Sequence, residues 1–442
     1  MIRRLVLLAM SLALVSAAPD ASRAAKIERI VTPAGIEAWL VRDDMLPMLS
    51  LQFGIKGGAN QDPTDKPGVA SFAASLLDEG AGDLDARAFQ ERLEAHAIGL
   101  SFSAARDTLR GSIRTLIENR DEAFELLRLA LTEPRFDADA IERVRAGMLA
   151  GLRRQSTSPG DIVSLRWFAR AFPNHPYGRP VQGTLDSVPK ITVEDLKRYV
   201  GQVLARSTLK IAVVGAIDAA TLAALIDKAF GALPAEPKLA LIAEIAPEGL
   251  GSREVIDLDV PQTFIAFGGA GLKRSDPDFI AAYVLNHILG GGSFSSRLYR
   301  EIREKRGLAY SVYSYLAPFT YAGLFMGNVS TRNDRAAESL AVITEEIRRI
   351  AADGPTTEEL EKAKNYLVGS YALRFDTSGK IAGQLLEIQL EDLGIDYIDR
   401  RNGLVVAVTA EDVRRAAKRF LSDDRLLVTL VGRPLGVAPI GR

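Results

Sequence analysis

The chain has no cysteine, and only three histidines and two tryptophans among its 442 residues. Without cysteine it can form no disulfide and offers no cysteine for lipid attachment. Stability must come from packing, which a chain of this length can supply. Charge of one sign is also missing. The net charge is −1, so no whole-molecule field draws the protein to nucleic acid or to an anionic membrane. His96, His175 and His287 lie in different segments with no ligand spacing between them, which favours ordinary structural roles over a metal site. No G-x-S-x-G elbow occurs, so a serine hydrolase has no foothold. The stretch Asp376-Thr377-Ser378-Gly379-Lys380 fails as a phosphate loop, because Arg374 stands where the upstream glycine is required. Gly290 to Gly292 do not follow a strand of a βαβ unit, which removes a dinucleotide loop.

Long apolar runs are absent but for one. Arg3 and Arg4 precede Leu5 to Val15, and Ser16-Ala17-Ala18 supplies small residues for cleavage. That is the layout of a secretory signal peptide, and the run is too short for a comfortable membrane span. Residues 1–25 are therefore set aside as a leader. The mature chain is expected to be soluble, without a membrane span, in a bacterial periplasm. The remaining composition, 47% hydrophobic and 25% charged over the chain, is that of a globular protein with two or three cores.

What is present is a repeat. Residues 191–215 (ITVEDLKRYVGQVLARSTLKIAVVG) align without a gap to residues 408–432 (VTAEDVRRAAKRFLSDDRLLVTLVG), an offset of 217 at both ends. Each copy has a threonine N-cap (Thr192, Thr409), Glu-Asp in the first turn, a basic amphipathic helix, a hydrophobic strand and a glycine. A looser match sets Ile141-Glu142 against Leu360-Glu361. A repeat of this length implies a duplicated domain rather than a solenoid. The expected division is residues 26–235, a Pro/Gly-rich linker and hinge at 236–252, and residues 253–435. Ile27 to Ile55 reads as strands, and Leu100 to Leu116 as a hairpin. Gly68–Leu77, Ala88–Ala97, Asp121–Leu131 and Ala138–Arg154 read as helices, and Pro173–Gly183 as a loop. Strands before and after helical blocks give an α+β class: two homologous domains, each a mainly antiparallel sheet with helices on one face.

The stretch Gly290 to Tyr310 (GGGSFSSRLYREIREKRGLAY) concentrates the candidates. Three glycines make φ > 0 available. A helix is expected from Ser296 to about Arg306 with Leu298 and Ile302 as its apolar stripe, then Gly307 at C′ and a strand from Leu308. Arg303 in the last turn and Tyr310 on the strand could together grip a peptide carbonyl. A solvated helix followed by a core strand explains the same spacing.

The order of elements, the duplication, HPYGRPVQGT (His175 to Thr184) and LGGGSFSSRLYREIREKRGLAYSV (Leu289 to Val312) resemble the pitrilysin/insulinase family of zinc peptidases. The likeness is strongest to its short two-domain members, among them the mitochondrial processing peptidase subunits. It implies half of a clam-shell chamber. Active members carry H-x-x-E-H on a helix of the first domain and a glutamate on a later helix. Here the two histidine positions hold Ser71 and Ser75, the general-base position holds Ala74, the third-ligand position Gly151, and a supporting acidic position Val144. Hydroxyls are poor zinc ligands and an alanine takes no proton from water. No cofactor is therefore expected in this chain. The arginine and tyrosine with which the family holds substrate map onto Arg303 and Tyr310. Gly290, Gly291 and Gly292 resemble the substrate-capturing loop of the non-catalytic processing subunit. The resemblance implies a non-catalytic subunit, inactive alone, that binds peptide and supplies the Arg/Tyr pair to a homologous H-x-x-E-H partner carrying the zinc. The alternative is a peptide-binding or scaffold protein with no peptidase partner.

Overall fold

The computed structural model describes residues 26–421 and 425–441, so the leader reading of residues 1–25 falls outside it. The first sheet contains β1 (Ile27–Val31), β2 (Glu37–Arg42), β3 (Met48–Lys56), β4 (Gly99–Ala104), β5 (Thr108–Leu116) and β6 (Lys210–Gly215) in the order β1-β2-β6-β3-β5-β4. The second contains β7 (Arg253–Ile256), β8 (Gln262–Ala270), β9 (Ala309–Pro318), β10 (Gly323–Arg332) and β11 (Leu427–Val431) in the order β7-β11-β8-β10-β9. In each sheet one pair is parallel, β2 with β6 and β7 with β11, and the rest are antiparallel. Strip β1 from the first sheet and the two have the same plan.

The repeat explains that sameness locally. Thr192 and Thr409 each accept a bond from the backbone N–H three residues on, and Asp195 and Asp412 return one, closing two equivalent capping boxes. The capped helices, Val193–Val203 and Ala410–Phe420, lead into β6 and β11.

The inner strands β6 and β11 read as apolar runs, IAVV and LVTLV, the second broken only by the buried Thr429, because both their faces are buried. Each half covers one face with its own helices. Phe53 of β3, for example, meets Phe230 edge-on at 5.2 Å in the first core. The opposite faces are covered by exchange. Helix Ser378–Leu390, from the second half, lays Leu385 and Leu386 against Trp39, Val41, Ala212 and Val214 of the first sheet. Helix Pro159–Ala171, from the first half, lays Trp167 against Ala266, Leu324 and Met326 of the second. The Trp167 indole N–H donates to the Leu427 carbonyl at 2.9 Å.

The motif His175 to Thr184 bolts the halves together. The buried Tyr177 hydroxyl donates to Asp107 in the β4–β5 turn at 2.8 Å and accepts from the Tyr321 amide in the β9–β10 turn at 3.0 Å. Asp107 also accepts from the Thr320 amide at 3.0 Å. Burial and the Asp107 carboxylate push the phenol upward, so it stays a donor. The 236–252 segment has neither helix nor strand, but it is no free hinge. Main-chain amides of Lys238, Ile245 and Glu248 donate to Gln202, Tyr321 and Ala171 carbonyls at 2.8, 2.9 and 2.8 Å, fastening it to both halves.

One helix departs from expectation. Ser296 to Arg306 is not a continuous α-helix. A single α-turn, Arg297–Tyr299, widens into a π-helical segment, Arg300–Glu304, with the Lys305 amide bonded back to the Arg300 carbonyl.

Candidate functional site

Helix Val69–Ala74 carries two of the positions, Ser71 and Ala74, that the resemblance matches to H-x-x-E-H, and Ser75 follows at its C-cap. Its start is held by Asp62, whose carboxylate accepts from the Gly68 and Ala70 amides at 2.7 and 2.8 Å. Burial pushes this carboxyl up to about 7 against the pull of those bonds. Ser71 is buried and donates to the Val181 carbonyl at 2.8 Å. Ser75, exposed, donates back to the Ser71 carbonyl at 2.9 Å. Ala74 is buried. Gly151, on helix Ala138–Gln155, has room, for an added Cβ would meet only the Arg154 guanidinium at 3.8 Å. Val144, on the same helix, packs against the first core. A cation stands nearby, the Arg145 guanidinium lying 5.1 Å from the centre of the Phe72 ring. Among the described residues no group of three or more His, Cys, Asp or Glu side chains could hold a metal ion. The residues at this position do not fit zinc, since both hydroxyls are spent on backbone carbonyls and neither an imidazole nor a carboxylate replaces them.

The second cluster is built by three local features. First, the buried Ser296 caps the short helix, and its π-turn sets Arg303 beside Tyr299, to whose hydroxyl it donates. Second, Gly307 at φ +61° ends the helix, with the Leu308 amide reaching back to the Ile302 carbonyl at 2.8 Å. Third, β9 bulges: Tyr310 and Ser311 together oppose the single residue Ser330 between the pairs Ala309–Thr331 and Val312–Val329. The extra residue turns Tyr310 outward in phase with Tyr313 and Tyr315. As a result Tyr310 is 80% exposed, and the Arg303 guanidinium lies 4.4 Å from its ring centre and 5.0 Å from that of Tyr299.

The glycines do something other than supply φ > 0. Gly290 and Gly291 end a π-turn, His287–Gly291, and the left-handed residue is Ser293 at φ +47°. A Cβ on Gly290 would come within 2.4 Å of the Ser314 hydroxyl, and one on Gly291 within 2.6 Å of the Asn286 amide nitrogen. A Cβ on Gly292 would be 2.6 Å from the His287 carbonyl. Close approach is what demands glycine here. Beyond the turn Phe294, exposed, meets Tyr299 edge-on at 4.9 Å, which joins the glycine turn to the Arg303 cluster. Tyr299 and Phe294 went unread in the sequence, although Tyr299 sits four residues before Arg303 on one helical face, a spacing that signals contact. Among the described residues no hydrogen bond or ring contact joins this cluster to Ser71, Ala74, Ser75 or Gly151.

The histidines take separate places. His96 ends a helix, with Nδ1 3.0 Å from the Arg92 carbonyl. His175 meets the Ala243 carbonyl at 3.1 Å. His287 stacks on Tyr366 at 5.0 Å.

Residues 42–185 match the family model described as insulinase (peptidase family M16), and residues 190–367 match the one described as peptidase M16 inactive domain. A Helicobacter pylori protein called non-peptidase homolog YmxG is 30% identical over 334 residues, 75% of this chain and 77% of its own. A Streptomyces coelicolor protein called uncharacterized zinc protease SCO5738 is 28% identical over 406 residues, covering 89% and 87%. Among solved structures, a peptidase M16 inactive domain from Pseudomonas fluorescens superposes with a TM-score of 0.87 at 30% identity, covering 94% of this chain and 100% of that one. With both family models matched and its two-sheet plan shared with that structure, the chain belongs to the insulinase family, peptidase family M16, as a non-catalytic, peptidase-like member.

Proposed function

We propose that this chain is the substrate-binding subunit of a heterodimeric zinc metallopeptidase of the periplasm. Its partner is a homologous chain with H-x-x-E-H, which holds the zinc, and its substrate is a peptide or unfolded polypeptide. The observation that carries this reading is the pairing of Arg303 with the exposed Tyr310 in a chain whose metal positions are bonded to backbone. The guanidinium spends one N–H on Tyr299, and its remaining donors are available for substrate carbonyls. The Tyr310 hydroxyl, held on a bulged strand, donates to the scissile carbonyl as negative charge grows there. Bound in the partner, the metal supplies the activated water.

The test is purification from the native host. A co-purifying chain of similar length with H-x-x-E-H, and cleavage of an unfolded peptide by the pair but by neither chain alone, are expected. A protein that purifies alone and leaves the H-x-x-E-H homologue's activity unchanged defeats the proposal. That outcome points to a peptide-binding or scaffold role, for which Arg303, already engaged by two rings and one hydroxyl, is stable without any partner.

A further inference from the structure

A separate pocket of about 350 Å³ lies where helix Phe279–Asn286, the end of β9 and helix Ser378–Leu390 meet. Three arginines line it: Arg274, Arg374 and Arg401. Most well-placed arginines of this chain grip a carboxylate, as Arg297 does Glu359 and Arg415 does Asp278. Among the described residues these three make no ion pair within 4.0 Å. Neutral groups orient them instead: phenols for all three and, for Arg401, also the Leu367 carbonyl at 2.6 Å and the Asn402 side-chain oxygen at 2.9 Å. Arg274 donates to the Tyr397 hydroxyl at 2.6 Å, and Arg374 and Arg401 approach the Tyr283 hydroxyl at 3.3 and 3.5 Å. Arg401 is only 4% exposed, with its guanidinium 4.4 Å from the Tyr371 ring centre. A buried cation without a counter-ion is costly, so the pocket is electrostatically incomplete.

Two acids also face it. Glu387 is held by Arg110 from β5. The Glu391 carboxylate has no hydrogen-bond partner among the described residues, and burial raises it to about 6, with Arg274 and Arg110 opposing the rise and Glu387 adding to it. The balance is cationic.

We propose that this pocket binds a carboxylate of the polypeptide substrate, either an acidic side chain or a free C-terminus; the assignment of a peptide ligand rests on the reading above. Tyr315 lines the pocket and lies five residues along β9 from Tyr310, roughly 17 Å of extended chain. A peptide gripped at Tyr310 and running along β9 therefore presents its carboxylate about five residues from the gripped bond.

The test uses the isolated full chain and fluorescence anisotropy with one labelled unfolded peptide in three forms. These are a free C-terminus, a C-terminal amide with no acidic residue, and a C-terminal amide with one glutamate. Either carboxylate form is expected to bind about tenfold tighter than the neutral one, and whichever does so identifies the source. Arg374→Ala, at an exposed position, abolishes that preference. Glu391→Gln, which removes the competing negative charge, strengthens it. Equal binding of all three forms, or a preference that survives Arg374→Ala or weakens in Glu391→Gln, overturns the pocket assignment while leaving the subunit reading intact. No binding of any form defeats both.

Discussion

The guanidinium of Arg303 lies 4.4 Å from the ring centre of Tyr310, a contact between a π-helical turn and a bulged strand. Stacking and hydrogen bonding can be separated by substitution. Tyr310→Phe keeps the ring and loses only the hydroxyl, so cleavage by the reconstituted heterodimer should fall by about a hundredfold or more, mainly in kcat. Arg303→Ala should lower kcat/KM, and Arg303→Lys should rescue little, because an ammonium neither stacks nor forks. Zinc content of the complex should be unchanged in all three. Full activity in both Tyr310→Phe and Arg303→Ala would remove the pair from the mechanism.

Ser71 and Ser75 should respond unequally to loss of their hydroxyls. Ser71→Ala takes the donor from the partly buried Val181 carbonyl and should cost about 1 kcal/mol in urea unfolding. Ser75→Ala, at an exposed position, should cost under about 0.5 kcal/mol. Equal effects would mean that the Ser71 hydroxyl has no structural role.

Gly290→Ala and Gly307→Ala test two different reasons for glycine. At Gly290 the new methyl meets the Ser314 hydroxyl and amide, so destabilisation of about 1 to 3 kcal/mol is expected. At Gly307 nothing lies within 4 Å, and only the left-handed backbone is penalised, by about 1 kcal/mol. Thermal unfolding of both variants ranks them, and the reverse order would contradict the packing argument.

Glu359 gives a pH dependence. Burial alone would raise its carboxyl, but Arg297 and the Thr356 amide overcome this and hold it down to about 2. Its folded value is below the unfolded one. The stabilisation is therefore complete above about pH 4.5 and is lost as pH falls toward 2, amounting to at most about 3 kcal/mol. Glu359→Gln should flatten this acid limb and lower stability at neutral pH, because Arg297 is then left buried without its counter-ion. An acid limb identical to that of the parent would assign the loss to other groups.

Much of this was legible in the chain. Thr192 with Asp195 and Thr409 with Asp412 announce their capping boxes, and the apolar runs after them announce the central strands, because caps and strand composition are local properties. Three features were not legible. Trp167 and Leu385 show only that their helices have an apolar side, and nothing in an amphipathic pattern says that the sheet it meets belongs to the other half. The bulge that turns Tyr310 outward depends on how β9 pairs with β10, a long-range fact. Likewise, the buried environment of Arg401 arises from segments far apart in sequence.

The exchange of helices also limits how the molecule can move. Each half lends a helix to the other, the Tyr177 bolt spans both, and the connecting segment is tied down along its length. Severing the backbone between 236 and 252 would release two new ends but not two fragments. The two halves therefore move as one stiff body, and no cleft can gape down its middle without unseating both lent helices.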